Sequence, residues 1–146
     1  MKMTSGQQNG FTLVEVLVAL IVMAIGVMGL ITLQLNTIQA NKSASHRSQA
    51  VWAANDILDR MRANRTAALN SDYDIALATD APTDTSTVAN ADLADWLTRL
   101  PNTLPEGDGS VVTDAATSTV TVTIQWNEGR MRDGNNAMQF VLETQI

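Results

Sequence analysis

The sequence predicts an α+β protein in which one long N-terminal helix packs on a small antiparallel sheet of about three strands. Residues 11–35 form an apolar run with a single charge, Glu15, and residues 36–65 follow it without a proline or a glycine. Residues 119–126 and 138–142 alternate apolar and polar side chains, as half-buried strands do. A long helix followed by hairpin-connected strands is typical of the α+β class.

The apolar run is long enough to cross a membrane. About 20 apolar residues in a helix, which rises about 1.5 Å per residue, span a hydrocarbon core of roughly 30 Å. A helix that is apolar on every side does not suit a small soluble domain. The sequence therefore predicts a single transmembrane helix over residues 11–35, with the rest of the chain attached to its C-terminal end.

The helix is predicted to continue beyond the membrane as an amphipathic segment over residues 36–65. Apolar or small residues recur at intervals of three or four from Leu30 to Met61, with Arg47 as the exception, and Trp52 and Ile57 widen that face. We therefore expect one helix of about 50 residues whose second half lies against the sheet. Its arginine-rich last turn suits the negative end of the helix dipole.

The region between helix and sheet is predicted to be mostly loop. Residues 66–95 are rich in Ala, Thr, Asp, Asn and Ser without periodicity, which indicates a long surface loop or one short helix within it. The acidic run Asp72-Tyr73-Asp74 is more typical of a solvated turn than of a metal site. A short helix over residues 92–100 would place Trp96 in the core, and the turn-rich stretch 100–109 would lead into the sheet.

Composition and charge exclude several functions. The 146 residues include no cysteine, so no disulfide is expected. The net charge is −6, and residues 66–146 carry twelve acids against three arginines, which argues against a nucleic-acid surface there. His46 is the sole histidine and lies on a polar part of the helix. We therefore predict a protein that is not an enzyme, with no catalytic residue, no metal and no cofactor.

The start of the apolar run carries the most specific motif. The segment Gly10-Phe11-Thr12-Leu13-Val14-Glu15-Val16 resembles the prepilin cleavage site of type IV pilins and type II secretion pseudopilins. The resemblance implies that a membrane aspartyl peptidase cuts after Gly10 and methylates the new amino group of Phe11. It also implies that Glu15, the fifth residue of the mature chain, pairs with the amino group of Phe11 on a neighbouring subunit during assembly.

A second resemblance points to one family within this superfamily. Gln34-Leu35, Arg47-Ser48-Gln49-Ala50, residues 59–65 and the L-P-x-G-x-G pattern at 104–109 are similar to the PilV family of minor pilins. This resemblance implies a type IV pilin-like fold and a minor pilin near the pilus tip. Such a subunit helps to prime pilus assembly and display, and so affects adhesion and twitching motility.

The resemblance also implies a domain organisation. Residues 1–10 would be a leader, 11–35 the transmembrane and filament-core helix, 36–65 its amphipathic continuation, and 66–146 a periplasmic head. The N-terminus would be cytoplasmic, and the mature subunit would move from the inner membrane to the pilus at the cell surface.

The implied partners are the prepilin peptidase, other minor pilins, the major pilin, inner-membrane lipid and a candidate tip adhesin. Major pilins commonly carry a helix-disrupting proline near the position of residues 31–33, which this chain lacks. That difference favours a minor subunit.

Two alternatives stay open at this stage. A minor pseudopilin of a type II secretion system shares the cleavage motif and the small head. A membrane-tethered periplasmic binding domain with an uncleaved anchor would make Gly10 incidental and a Glu15→Ala substitution harmless.

Overall fold

The computed structural model describes residues 10–129 and 137–146. The elements in chain order are α1 (Leu13–Ala63), α2 (Arg65–Leu69), α3 (Val88–Thr103), β1 (Asp108–Asp114), β2 (Thr119–Asn127) and β3 (Ala137–Gln145). The strands form one antiparallel sheet in the order β1-β2-β3. The predicted α+β class, with a long helix ahead of a three-stranded sheet, is confirmed. The chain divides into two compact units, residues 1–41 and residues 42–146.

In the first unit, α1 has no covering layer from the described part of the chain. The helix is 51 residues long and continuous, as predicted. Its large apolar side chains from Leu13 to Ile38 are all exposed. Among the described residues, α1 is the helix that is long and apolar enough to cross a membrane.

In the second unit, α1 contributes a narrow buried stripe to the core. The stripe consists of Ala50, Ala54, Ile57, Leu58 and Met61. Its two alanines allow close packing, and the larger side chains fill the space nearer the helix end.

The prediction that Trp52 belongs to this face is wrong, because its side chain is 78 % exposed. Trp52 lies two residues from both Ala50 and Ala54, which turns it about 200° away from them around the helix.

The sheet alternates as predicted. On β2 the side chains of Val120, Val122, Ile124 and Trp126 are buried. On β3 the side chains of Met138, Phe140 and Leu142 face the same core but are only half-buried, since β3 is the last strand in the sheet. The pairing joins Val122 to Leu142 and Ile124 to Phe140. The strand faces therefore follow the period of two in the sequence.

Helix α3 is longer than the predicted segment 92–100. Its N-terminus is capped by Thr87, whose hydroxyl accepts a hydrogen bond from the Asn90 N–H at 3.2 Å. The helix continues past Pro101, which removes only its own N–H donor. Side-chain bonds from Asn102 to the Thr98 carbonyl and from Thr103 to the Leu100 carbonyl satisfy acceptors in this last turn.

Trp96 on α3 lies in the core, as predicted. It is 2 % exposed, and its indole Nε1 donates a hydrogen bond to the Ala53 carbonyl of α1 at 2.9 Å. Gly109 on β1 lies against the indole ring, and a Cβ there would overlap it. A Cβ on Gly107 would likewise overlap the Leu100 carbonyl. The two glycines of the predicted turn therefore let β1 approach α3.

The segment predicted as a loop carries more structure than expected. It begins with α2, and its last residues already belong to α3. Between them, Ile75 forms an isolated bridge to Val111 of β1. Asp74 Oδ1 accepts a hydrogen bond from the Thr113 N–H at 2.9 Å. The middle of this segment is therefore attached to the outer edge of β1.

Candidate processing and assembly site

The residues predicted to be processed lie at the start of α1. Gly10 and Phe11 precede the helix, and Glu15 lies in its first turn. Phe11 is 84 % exposed, and no heavy atom of the described residues, apart from Gly10 and its chain neighbours, lies within 4 Å of the position that a Cβ on Gly10 would take. The predicted leader up to residue 9 lies outside the described residues. The bond between Gly10 and Phe11 is thus uncovered by the described part of the chain.

Thr12 begins the helix, and the sequence reasoning did not single it out. The Glu15 N–H points at Thr12, lying 3.2 Å from its Oγ1 and 3.1 Å from its carbonyl oxygen. Thr12 therefore acts as the N-cap, with Glu15 three residues later. The Thr-x-x-Glu spacing of a capping box is visible in the sequence and could have identified this role.

Glu15 lies in the first turn of α1, where the helix dipole favours a carboxylate. Among the described residues, no cation forms an ion pair with it. The N-terminal end of a helix carries a partial positive charge, which stabilises an acid in the first turn. Glu15 is exposed among apolar neighbours. A charge in such a segment is costly in lipid and usually has a partner. Cleavage after Gly10 would create an amino group four residues away, which could serve as that partner on a neighbouring chain.

A second cluster joins α1 to α3 within the head. The Arg60 guanidinium lies 3.2 Å from Asp92, 2.7 Å from Asp95 and 3.3 Å from Asp56. Arg99 contacts Asp56 and Asp95 at 2.9 and 2.8 Å. Burial lowers the pKa of Arg60, but the hydrogen bonds and charges of its three carboxylates outweigh burial and raise it overall.

The arginines at the end of α1 and at the start of α2 therefore differ in role. Arg60 joins two helices, which the sequence did not predict, because a solvated helix end was expected there. Within the described residues, Arg62 forms its ion pair with the exposed Asp59 of its own helix, at 2.7 Å. Arg65 donates a hydrogen bond to the Ile146 carbonyl at 3.0 Å.

Tyr73 extends the same cluster into the core. Its hydroxyl donates to Asp92 Oδ2 at 2.7 Å and accepts from the Asn64 side-chain amide at 3.3 Å. Burial, and then the hydrogen bond to Asp92, raise the pKa of Tyr73 to about 12. The tyrosine of the acidic run is thus a core residue.

The sole histidine lies near a buried acid. His46 Nδ1 is 3.9 Å from Glu128 Oε1, and the same oxygen accepts a hydrogen bond from Trp126 Nε1 at 3.0 Å. These contacts link α1 to the end of β2. They involve no serine, threonine or cysteine that could act as a nucleophile, and their arrangement points to a structural link.

The fold and the motif together define a class of protein. It is a chain with an N-terminal helix that is long and apolar enough to cross a membrane, a sequence similar to a prepilin cleavage site at the start of that helix, and a small α+β head.

Comparison with known families is consistent with this class. A model described as the prokaryotic N-terminal methylation motif matches residues 6–31, and a model described as type IV pilin Tt1218 matches residues 32–95. The two matches adjoin and support placing the chain in the type IV pilin superfamily, as a pilin or pseudopilin structural subunit. No curated protein and no solved structure gives a match.

Proposed function

We propose that this chain is a minor type IV pilin of the PilV family, cleaved after Gly10, methylated at Phe11 and incorporated near the tip of a pilus. One coincidence carries the proposal. The Gly10-Phe11 bond and Glu15 lie at the start of an uncovered apolar helix, and the similarity to a type IV pilin continues directly from that helix into the head.

The assembly chemistry follows from charge. After cleavage, each subunit carries an α-amino group at Phe11 and a carboxylate at Glu15. Between two subunits whose apolar helices lie side by side, these groups attract each other strongly, because the surroundings screen them poorly. Removing either partner leaves the other buried and unpaired, which is strongly destabilising. Glu15 and Phe11 would thereby set the register of neighbouring subunits.

The minor role is supported by α1 itself. The helix runs through residues 31–33 without a break, and it contains no proline to weaken it as a filament subunit packs. The stretch 59–65, which resembles PilV, supplies Arg60 to the α1–α3 cluster.

We expect a single membrane pass with the N-terminus in the cytoplasm and the head in the periplasm. Other minor pilins and the major pilin would be the direct partners, with a tip adhesin as a further one.

The test is the mature N-terminus. The full chain is isolated from the membranes of cells with and without prepilin peptidase, and its N-terminal peptide is identified by mass spectrometry. We expect methylated Phe11 only when the peptidase is present. A matched Glu15→Ala chain should still be cleaved, since the acid acts after processing. A chain that keeps Met1, or is cut beyond Leu35, would contradict the proposal and fit a tethered or secreted domain instead.

A minor pseudopilin of a type II secretion system is the second candidate, because the methylation motif is common to both systems. The two are separated by deleting the gene and scoring twitching and secretion in parallel. Loss of twitching with normal secretion supports the pilus. The reverse result would assign the subunit to secretion.

A further inference from the structure

The feature that carries a further inference is the way α1 begins. Gly10, Phe11 and Thr12 lie outside the helix, which starts at Leu13. The Thr12 side chain accepts from the Glu15 N–H at 3.2 Å. Its carbonyl accepts from the N–H groups of Glu15 and Val16, at 3.1 and 3.2 Å. Thr12 thus occupies the Glu15 N–H, which is the donor that the first added residue of helix towards the N-terminus would need.

The consequence of such an extension can be worked out from helix geometry. In an α-helix each N–H bonds to the carbonyl four residues earlier. One more residue of helix would bond the Glu15 N–H to the Phe11 carbonyl. A second would bond the Val14 N–H to the Gly10 carbonyl, which belongs to the Gly10-Phe11 bond. A carbonyl held in a helical hydrogen bond must be released before a peptidase can bind and polarise it.

We propose that Thr12 is a positioning residue for cleavage after Gly10. Its hydroxyl fixes the start of α1 at Leu13 and so keeps the Gly10-Phe11 bond non-helical and open to attack. Hydrolysis adds water across this bond, leaving a carboxylate on Gly10 and an amino group on Phe11. The inference rests on the proposed function, in which this bond is the one cut.

Cleavage by purified prepilin peptidase in detergent micelles tests the inference on the full chain. Thr12→Val keeps the shape of the side chain but removes the acceptor. We expect cleavage to slow about fivefold, because loss of an N-cap typically shifts the equilibrium between two helix starts by about that factor. Thr12→Ser and Thr12→Asn retain an acceptor and should cut at close to the unsubstituted rate.

Thr32→Val is the matched control. It removes a hydroxyl from the same helix, where Thr32 Oγ1 bonds the Met28 carbonyl and caps nothing. We expect no change in its cleavage rate. In the same micelles, carbon chemical shifts of Gly10 and Phe11 should move towards helical values in Thr12→Val and in no other variant.

The outcomes distinguish the positioning role of Thr12 from the proposed cleavage after Gly10. Cleavage of Thr12→Val at the unsubstituted rate overturns the positioning role and leaves the processing site intact. Slow cleavage of Thr12→Asn overturns it too, because the peptidase would then be reading side-chain shape. If the unsubstituted chain is not cut at all, the proposed function fails and the inference falls with it.

Discussion

The two parts of α1 have similar backbones and opposite surroundings. From Leu13 to Ile38 its large apolar side chains are exposed on every side, whereas from Ala50 to Met61 one stripe is fully buried in the head. The first part must therefore find its apolar contacts in lipid or in other subunits, and the second part finds them in its own chain. Substitutions in the first part should change assembly, and substitutions in the second should change folding.

The largest effect on folding is expected at Trp96. A Trp96→Ala substitution opens a cavity between α1 and α3 and removes the indole N–H that donates to the Ala53 carbonyl. We expect the free energy of unfolding to fall by about 3–5 kcal/mol. Urea unfolding of the full chain in detergent, followed by circular dichroism, measures the change.

Trp52→Ala supplies the control for that experiment, since it removes the same side chain from an exposed position. Its effect on stability should stay within about 0.5 kcal/mol. Equal losses for the two variants would contradict the assignment of Trp52 to the outer face of α1.

A smaller loss is expected at Arg60. Arg60→Met keeps the aliphatic packing but leaves Asp56 and Asp95 with Arg99 alone and removes the arginine that contacts Asp92. The Arg60 side chain is 24 % exposed, so solvent screens part of the loss. We expect about 1–3 kcal/mol of destabilisation, measured by the same unfolding experiment.

Arg62→Met is the matched control. It makes the same substitution two residues further along α1, at an arginine whose ion pair with Asp59 is exposed. It should change stability by less than about 0.5 kcal/mol. If Arg60 and Arg62 cost the same, the cluster does not join α1 to α3 in solution.

Tyr73 gives a pH dependence whose sign follows from its raised pKa. The neutral phenol is favoured in the folded head, where its pKa is about 12, above the ordinary value of 10.0. The stabilisation is therefore complete below pH 10 and is lost as the pH rises towards 12. Tyr73 is the only tyrosine of the chain, so tyrosinate absorbance reports it alone.

Tyr73→Phe should abolish that absorbance step and lower stability at neutral pH by about 1 kcal/mol, through loss of the bond to Asp92. Titration of the folded protein near the ordinary value would show that the hydroxyl is not held as the structure indicates.

The comparison also explains what the sequence could and could not predict. The continuous α1 and the alternating β2 were predictable because their periodicity extends over many residues. The outward position of Trp52 was not predictable, because hydrophobicity alone does not show how wide the buried face of the helix is. The role of Arg60 depended on Asp92 and Asp95, which lie more than thirty positions away along the chain. Helix α3 is longer than predicted at both ends, because residues 88–91 lie in a stretch without clear periodicity and the turn-rich residues 101–103 still continue the helix.

In the candidate site, too, the local features could be predicted from the sequence and the contacts with other residues could not. Gly10, Phe11 and Glu15 could be predicted because the motif is contiguous, and α1 places them together at one helix end. The capping role of Thr12 was equally local and was missed only because the motif was treated as a recognition signal. The partners proposed for Phe11 and Glu15 would lie on other chains, so the sequence of one chain cannot test that pairing.

The smallest effect on folding should come from Glu15, and it gives the sharpest test of the comparison. Glu15→Ala removes an exposed side chain from the uncovered part of α1, so head stability should change by less than about 0.5 kcal/mol. The same substitution should abolish recovery of the subunit in sheared pili, because the amino group of Phe11 loses its partner. Glu143→Ala, an exposed acid on β3, should leave both quantities unchanged. Normal recovery of Glu15→Ala in pili would show that register is set elsewhere, and a destabilised head would show that the two parts of α1 are not independent.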